Sequence, residues 1–161
     1  MGSLLVIGYG NELRADDAAG YLLALRLADD PRLAHATVLA RRQLTPELAL
    51  DISRAGRVVL LDASSEVRAG EVAVRKLRPL PGGPLQGKAP AWSHHLLPEA
   101  VVGLAQELYG VAPPAHLVSL GVCSLAMEER LSAAVEAALP AAADAVVAIA
   151  QQEVAAELSR A

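Results

Sequence analysis

Phenylalanine is absent from this chain of 161 residues, aromatics make up only 2% of it, and there is one cysteine. The core must therefore be aliphatic, and Leu, Val and Ala carry the hydrophobic share of 53%. A lone thiol, Cys123, excludes an internal disulfide and a structural zinc site built from thiolates, which suits a reduced cytoplasmic setting. Basic residues are short as well. Fourteen Lys and Arg against 18 Asp and Glu leave a net charge of −4, without the basic face of a nucleic-acid binder. No basic segment and cleavage site of a signal peptide is visible, and no apolar stretch reaches the ~18 residues of a membrane span. The Ala-rich tail from Ala133 to Ala150 comes nearest, but Glu136, Pro140 and Asp144 interrupt it, so it reads as a packed helix without membrane insertion. Also missing are H-E-x-x-H, the zinc-peptidase pattern, and G-x-S-x-G, the nucleophile elbow of α/β-hydrolases.

What is present alternates. Ser3–Gly8 is a short continuous apolar run typical of a strand covered on both faces, Arg57–Asp62 holds another such run and ends in an acid, and Thr37–Ala40 and His116–Gly121 read as further strands. Glu71–Leu77 alternates as an edge or half-buried strand would. Helices are expected over Asp16–Ala28, from Thr45 (as N-cap, with Pro46 at the first helical position) to about Ser53, over His94–Leu108, and from about Leu131 onward. Pro79–Ala91, with four prolines and three glycines, is a long loop. The chain thus reads as one domain over residues 1–161: an α/β fold, a three-layer αβα sandwich with a mostly parallel, twisted sheet of about five strands. In such sheets ligands sit beyond the carboxyl ends of the strands. That rule selects the Gly8–Asp17 loop, Asp62 with its neighbours, and the Gly121–Ser124 turn.

Each of these places holds residues that could do chemistry. GYGNEL lacks the third glycine of a dinucleotide fingerprint, and Ala40-Arg41-Arg42 stands where the ribose-binding acid is expected, so a tight turn competes with nucleotide binding. Asp16 is placed to cap the helix that follows, which leaves Asp17 facing the crevice; both could equally be helix-start acids favoured by the macrodipole. Asp62 ends a strand that should be buried, and a buried carboxylate needs a partner, a metal or a raised pKa, unless it caps the following ASSE loop. His94 and His95 open a helix after the Pro/Gly loop, with Ser93 as N-cap; His35 and His116 look structural. Two carboxylates and a His from different strand ends match an oxygen/nitrogen metal site open to nickel, zinc, copper or iron. Cys123 follows a strand, but nothing adjacent would activate it, and a small buried role is the commoner one.

The segment GYGNELRADDAAG closely resembles the N-terminal signature of the nickel–iron hydrogenase maturation endopeptidases. The strand VVLLDAS and the SHHL that follows a Pro/Gly loop continue the resemblance in the same order, over nearly the whole chain. It implies an aspartic-type endopeptidase that removes a C-terminal extension from the precursor of the hydrogenase large subunit, its protein partner, after nickel insertion. It implies that Asp17, Asp62 and His95 are both the nickel ligands and the catalytic group, with His94 as the fallback for His95. The nickel would be supplied by the substrate, with none held by the isolated protein, and a monomer suffices. The Q-L-T-P-E-L stretch resembles a branch of the family associated with soluble, bidirectional hydrogenases. There Gln43 would hold the substrate tail and Arg41 or Arg42 would pair with an acid on it, with a solvated basic turn as the alternative. Either the nickel acts as a Lewis acid, or it only docks the substrate while Asp17 or Asp16 activates water. The competing class is a non-catalytic Rossmann-like binding module, a metal chaperone or nucleotide binder.

Overall fold

The structure, a computed structural model, describes residues 3–11, 15–80, 96–123 and 131–160, with the backbone alone for 153–158 and 160. Among these, five strands form one sheet: β1 (Leu4–Tyr9), β2 (Thr37–Arg41), β3 (Arg57–Ser64), β4 (Val72–Leu77) and β5 (Ala115–Gly121), in the order β2-β1-β3-β5-β4. The first four positions in that order are parallel, and β4 is antiparallel at the edge. Four α-helices cover the sheet: α1 (Ala19–Ala28), α2 (Leu48–Arg54), α3 (Pro98–Tyr109) and α4 (Ala133–Arg160).

Strand alternation divides the core in two. Leu4, Val6, Val59, Leu61, Val118 and Leu120 face α1 and α4. Leu5, Ile7, Val58, Leu60 and Leu117 face α2 and α3. Both faces are therefore covered, as the continuous apolar runs require. By length and composition Ala133–Gln152 within α4 could cross a membrane. Its Val135, Leu139, Ala142, Val146 and Ile149, at helical spacing, are instead buried in the core it shares with α1. Outward, Glu136 pairs with Arg26 of α1, and Asp144 pairs with Arg32 at 2.9 Å.

Several boundaries differ from the sequence reading. Asp16 does not cap α1. Ala15–Ala18 forms a 3-10 turn, and the N-cap of α1 is Ala18, with no side-chain cap. The helix read from Thr45 begins at Leu48; the Thr45 and Pro46 carbonyls accept from Leu48 and Ala49 (3.1 and 3.0 Å) in turns that precede it. α3 starts at Pro98, which pre-sets the helical φ at its first position, and not at His94. β3 runs two residues past Asp62, because Ala63 and Ser64 still pair with Leu120 and Gly121 of β5. Ser93, His94 and His95, and the loop beyond Leu80, lie outside the described residues.

Candidate functional site

From β1 the chain passes to β2 on one side and then, through β2 and α2, to β3 on the other. The order reverses between β1 and β3, which makes their carboxyl ends the switch point where a crevice opens in this class of sheet. Glycines draw the backbone together there. A Cβ on Gly20 would lie 2.4 Å from the Leu61 carbonyl oxygen and 2.6 Å from that of Tyr9, so only glycine lets the start of α1 rest on both strand ends. Gly10, at φ +154°, is set against the Asp17 backbone: a Cβ there would fall 1.9 Å from the Asp17 carbonyl oxygen. The G-Y-G and the distant Gly20 are thus packing points between backbones.

The two adjacent acids part company. Asp16 is fully buried. Its carboxylate accepts the Cys123 N–H at 2.8 Å, the Ser132 N–H at 2.6 Å and the Ser132 hydroxyl at 2.9 Å. Ser132 is the residue before α4, and its Oγ in turn accepts the Val135 N–H at 3.4 Å. Asp16 therefore anchors the N-terminus of α4 and the end of β5, and its charge complements that helix's dipole. Asp17 is only half-buried; one of its oxygens accepts the Asn11 N–H at 3.1 Å, which closes the loop after β1 over the turn that carries it.

Asp62 lies across the switch point. Gly8 pairs with Leu61, so the next residues outward are Tyr9 and Asp62, while Ser119 stands opposite Asp62 on β5. The Tyr9 hydroxyl donates to Asp62 Oδ2 at 3.3 Å. Oδ1 is buried and has no hydrogen-bond partner among the described residues. Burial is the main force on this carboxyl and raises its pKa; the Ser119 and Tyr9 hydroxyls and the Arg75 charge oppose the rise, and Glu99 adds to it. Burial, then the Asp62 charge, pushes the Tyr9 phenol far above its ordinary range, so it remains a donor. Arg75 of β4 and Glu99 in the first turn of α3 form an ion pair at 2.6 Å, joining the edge strand to the helix that follows His95 in sequence.

Of the residues singled out from sequence, Asp17 and Asp62 come to the carboxyl ends of neighbouring strands, on either side of the switch point. His95 and its fallback His94 fall outside the described residues, and among the described residues no three His, Cys, Asp or Glu side chains cluster as a metal site. Arg41, Arg42 and Gln43 are exposed at the carboxyl end of β2, beside the same crevice. The Arg41 guanidinium donates to the Ala40 carbonyl at 2.9 Å, and the Arg41 carbonyl accepts from Gly10 at 3.2 Å. His116 begins β5 at the opposite end of the sheet, and Cys123 is exposed rather than buried. Sequence reasoning missed Tyr9 as a partner of Asp62. The signal was there: one of three tyrosines in the chain, set between two glycines at the end of a buried strand.

No family model matches the chain, and no curated protein matches it in sequence. Solved structures do. The hydrogenase maturating endopeptidase HybD from E. coli superposes with a TM-score of 0.70 at 23% identity, covering 94% of this chain and 93% of its own. The [NiFe] hydrogenase maturation protease HycI from Thermococcus kodakarensis gives 0.67 at 24% identity, covering 92% of each chain. This chain has their fold. A hydrogenase 2 maturation peptidase from a Thaumarchaeota archaeon extends the likeness, with a TM-score of 0.65 at 23% identity over 91% of this chain and 97% of its own. The likeness spans the full architecture, the sheet with both helix layers, so the αβα sandwich expected from the sequence is the one observed.

Proposed function

We propose that this chain is a hydrogenase maturation endopeptidase, which removes a C-terminal extension from the nickel-loaded precursor of a nickel–iron hydrogenase large subunit. The observation that carries the reading is Asp62. A carboxylate on a buried strand, at the switch point of a fold shared with maturation proteases, keeps one oxygen without a hydrogen-bond partner among the described residues. Buried carboxylate oxygens are normally satisfied, so one kept open suits a donor to a cation that arrives from outside.

In this reading the nickel belongs to the substrate, held by precursor cysteines that are softer donors than carboxylates or imidazole. Asp17, Asp62 and His95 are the side chains that meet it. His95 stands three residues before Pro98, the first residue of α3, whose first turn carries Glu99. Arg41, Arg42 and Gln43, exposed at the neighbouring strand end, are the groups for the substrate tail. Cleavage adds water across the peptide bond, with Asp17 as the general base and the other carboxylate and His95 holding the substrate in register. The protein works as a cytoplasmic monomer.

The test is a processing assay with nickel-loaded and nickel-free precursor from the same organism, read as loss of the C-terminal peptide by mass spectrometry. Cleavage of the loaded precursor alone is expected, and Asp17→Ala, Asp62→Ala or His95→Ala should abolish it with the circular dichroism spectrum unchanged. If His94→Ala abolishes cleavage and His95→Ala does not, His94 is the ligand. Cleavage of both precursors would discard nickel as the trigger. Cleavage of neither, with a precursor shown competent by another maturation protease, would put a non-catalytic binding module in place of the enzyme.

A further inference from the structure

The two oxygens of Asp62 are not equivalent. Oδ2 is met by the Tyr9 hydroxyl at 3.3 Å, while buried Oδ1 has no hydrogen-bond partner among the described residues. A carboxylate on a strand can turn about its Cβ–Cγ bond, because that torsion is broad rather than staggered. The Ser119 hydroxyl across on β5 also favours the charged form of this carboxyl, so something must decide which oxygen is left without a partner. Tyr9 can do so because its own position is fixed: β1 and β3 are in register up to Gly8 and Leu61, and Gly20 holds the Tyr9 backbone against α1. Its ring packs on the α2/α3 side of the core, the side to which strand alternation also sends Asp62. At 3.3 Å the contact is long for an O–H···O bond.

The geometry points to Tyr9 as a positioning residue that holds Asp62 by Oδ2 and so leaves Oδ1, the oxygen without a hydrogen-bond partner among the described residues, for the substrate's metal. This rests on the reading of Asp62 as a ligand. Partners of this kind fix the orientation of ligating side chains, and their removal typically weakens metal recognition ~10–100-fold.

The test is equilibrium binding, not turnover. The probe is a nickel-loaded precursor with proline placed just after the scissile bond, so that it is bound without being cut. The full-length chain is compared as wild type, Tyr9→Phe, Asp62→Ala and the double variant, with nickel-free precursor as the control. Tyr9→Phe removes one oxygen and keeps the ring, and an unchanged thermal midpoint checks the fold. The expected result is a roughly tenfold weaker Kd for Tyr9→Phe with loaded precursor, no change with nickel-free precursor, and no further loss when the substitution is added to Asp62→Ala. Wild-type affinity for Tyr9→Phe, with Asp62→Ala weakened, would overturn the role of Tyr9 and leave the ligand assignment standing. An equal loss in both backgrounds, or with nickel-free precursor, would also overturn it, because Tyr9 would then act through packing. Wild-type affinity for Asp62→Ala would overturn the ligand assignment, and this inference with it.

Discussion

Asp16 and Asp62 are both carboxylates at the carboxyl end of the same sheet, and their surroundings are opposites. Asp16 is fully buried and saturated: two backbone N–H groups and a hydroxyl converge on it, from the end of β5 and the start of α4. Asp62 receives one long hydrogen bond from Tyr9, the Ser119 hydroxyl also favours its charged form, and its buried Oδ1 has no hydrogen-bond partner among the described residues. Hydrogen bonds to the charged form favour ionisation, and burial without them opposes it. Asp16 thus stabilises the fold by what it accepts. Asp62 sits where burial works against its charged form. Charge and burial alone do not separate these two acids; the geometry of their donors does.

The comparison predicts opposite responses to the same chemical change. Asp16→Ala should be the most damaging, with a loss on the order of 3 kcal/mol in urea unfolding, because it removes the fully buried acceptor that the Cys123 N–H, the Ser132 N–H and the Ser132 hydroxyl share. Asp16→Asn keeps an acceptor but places a donor amide among donors, so it should recover only part. A loss under about 1 kcal/mol for Asp16→Ala would mean that water replaces the carboxylate, and the contrast with Asp62 would fail. Next in size is Ser132→Ala, which removes one of the donors to Asp16 and the acceptor for the Val135 N–H at once. It should cost about 1–2 kcal/mol, the range of a lost N-cap.

Asp62→Asn should have the reverse sign. The folded protein holds this carboxyl above its ordinary pKa, chiefly through burial. Below the ordinary Asp range of about 4 the group is neutral folded or unfolded and contributes nothing. As pH rises from that range to the raised folded pKa, the unfolded chain releases its proton first, and stability falls by an amount that persists at neutral pH. Asparagine removes that penalty. The variant should be more stable than wild type at pH 7 by on the order of 1 kcal/mol, with the gain vanishing toward pH 3. An Asp62→Asn protein less stable at neutral pH would show that the carboxylate is satisfied, and the unpartnered oxygen would lose its meaning.

Much of the framework was legible because buried parallel strands need unbroken apolar runs, and LLVIG and RVVLL are short ones bounded by glycine or charge. The edge strand showed in its alternation. Helix starts were harder. Thr45 and His94 stand before residues with helical character, but Pro46 and Pro98 lie in different contexts, one in a turn and one at the first residue of its helix. The roles of the acids were only half legible. Asp17 and Asp62 were placed at strand ends by topology, which sequence pattern reveals. Asp16 was assigned to the adjacent helix, whereas its partners are 107 and 116 residues away. Tyr9 meets Asp62 across 53 residues. Contacts of that separation depend on register and on glycine-allowed close approach; the glycines around Tyr9 mark the close approach, but the register leaves no local mark.

The smallest effect tests whether open polar atoms always mark function. His116 also has a buried nitrogen, Nδ1, without a hydrogen-bond partner among the described residues, yet it sits at the start of β5, at the end of the sheet away from the crevice. Burial first, then the Arg57 and Lys76 charges, lowers its pKa, so here the neutral form is the one the fold prefers. The sign is again opposite to a paired group's: the stability is present above the ordinary His range near 6.5 and is lost as pH falls toward the depressed folded value. The imidazole is partly exposed, so solvent screening keeps the effect well under 1 kcal/mol. His116→Gln should flatten the fall in stability between pH 7 and 5 and leave precursor processing at the wild-type rate. Impaired processing would break the rule drawn from Asp62, because an unpartnered atom far from the switch point would then matter as much as one inside it.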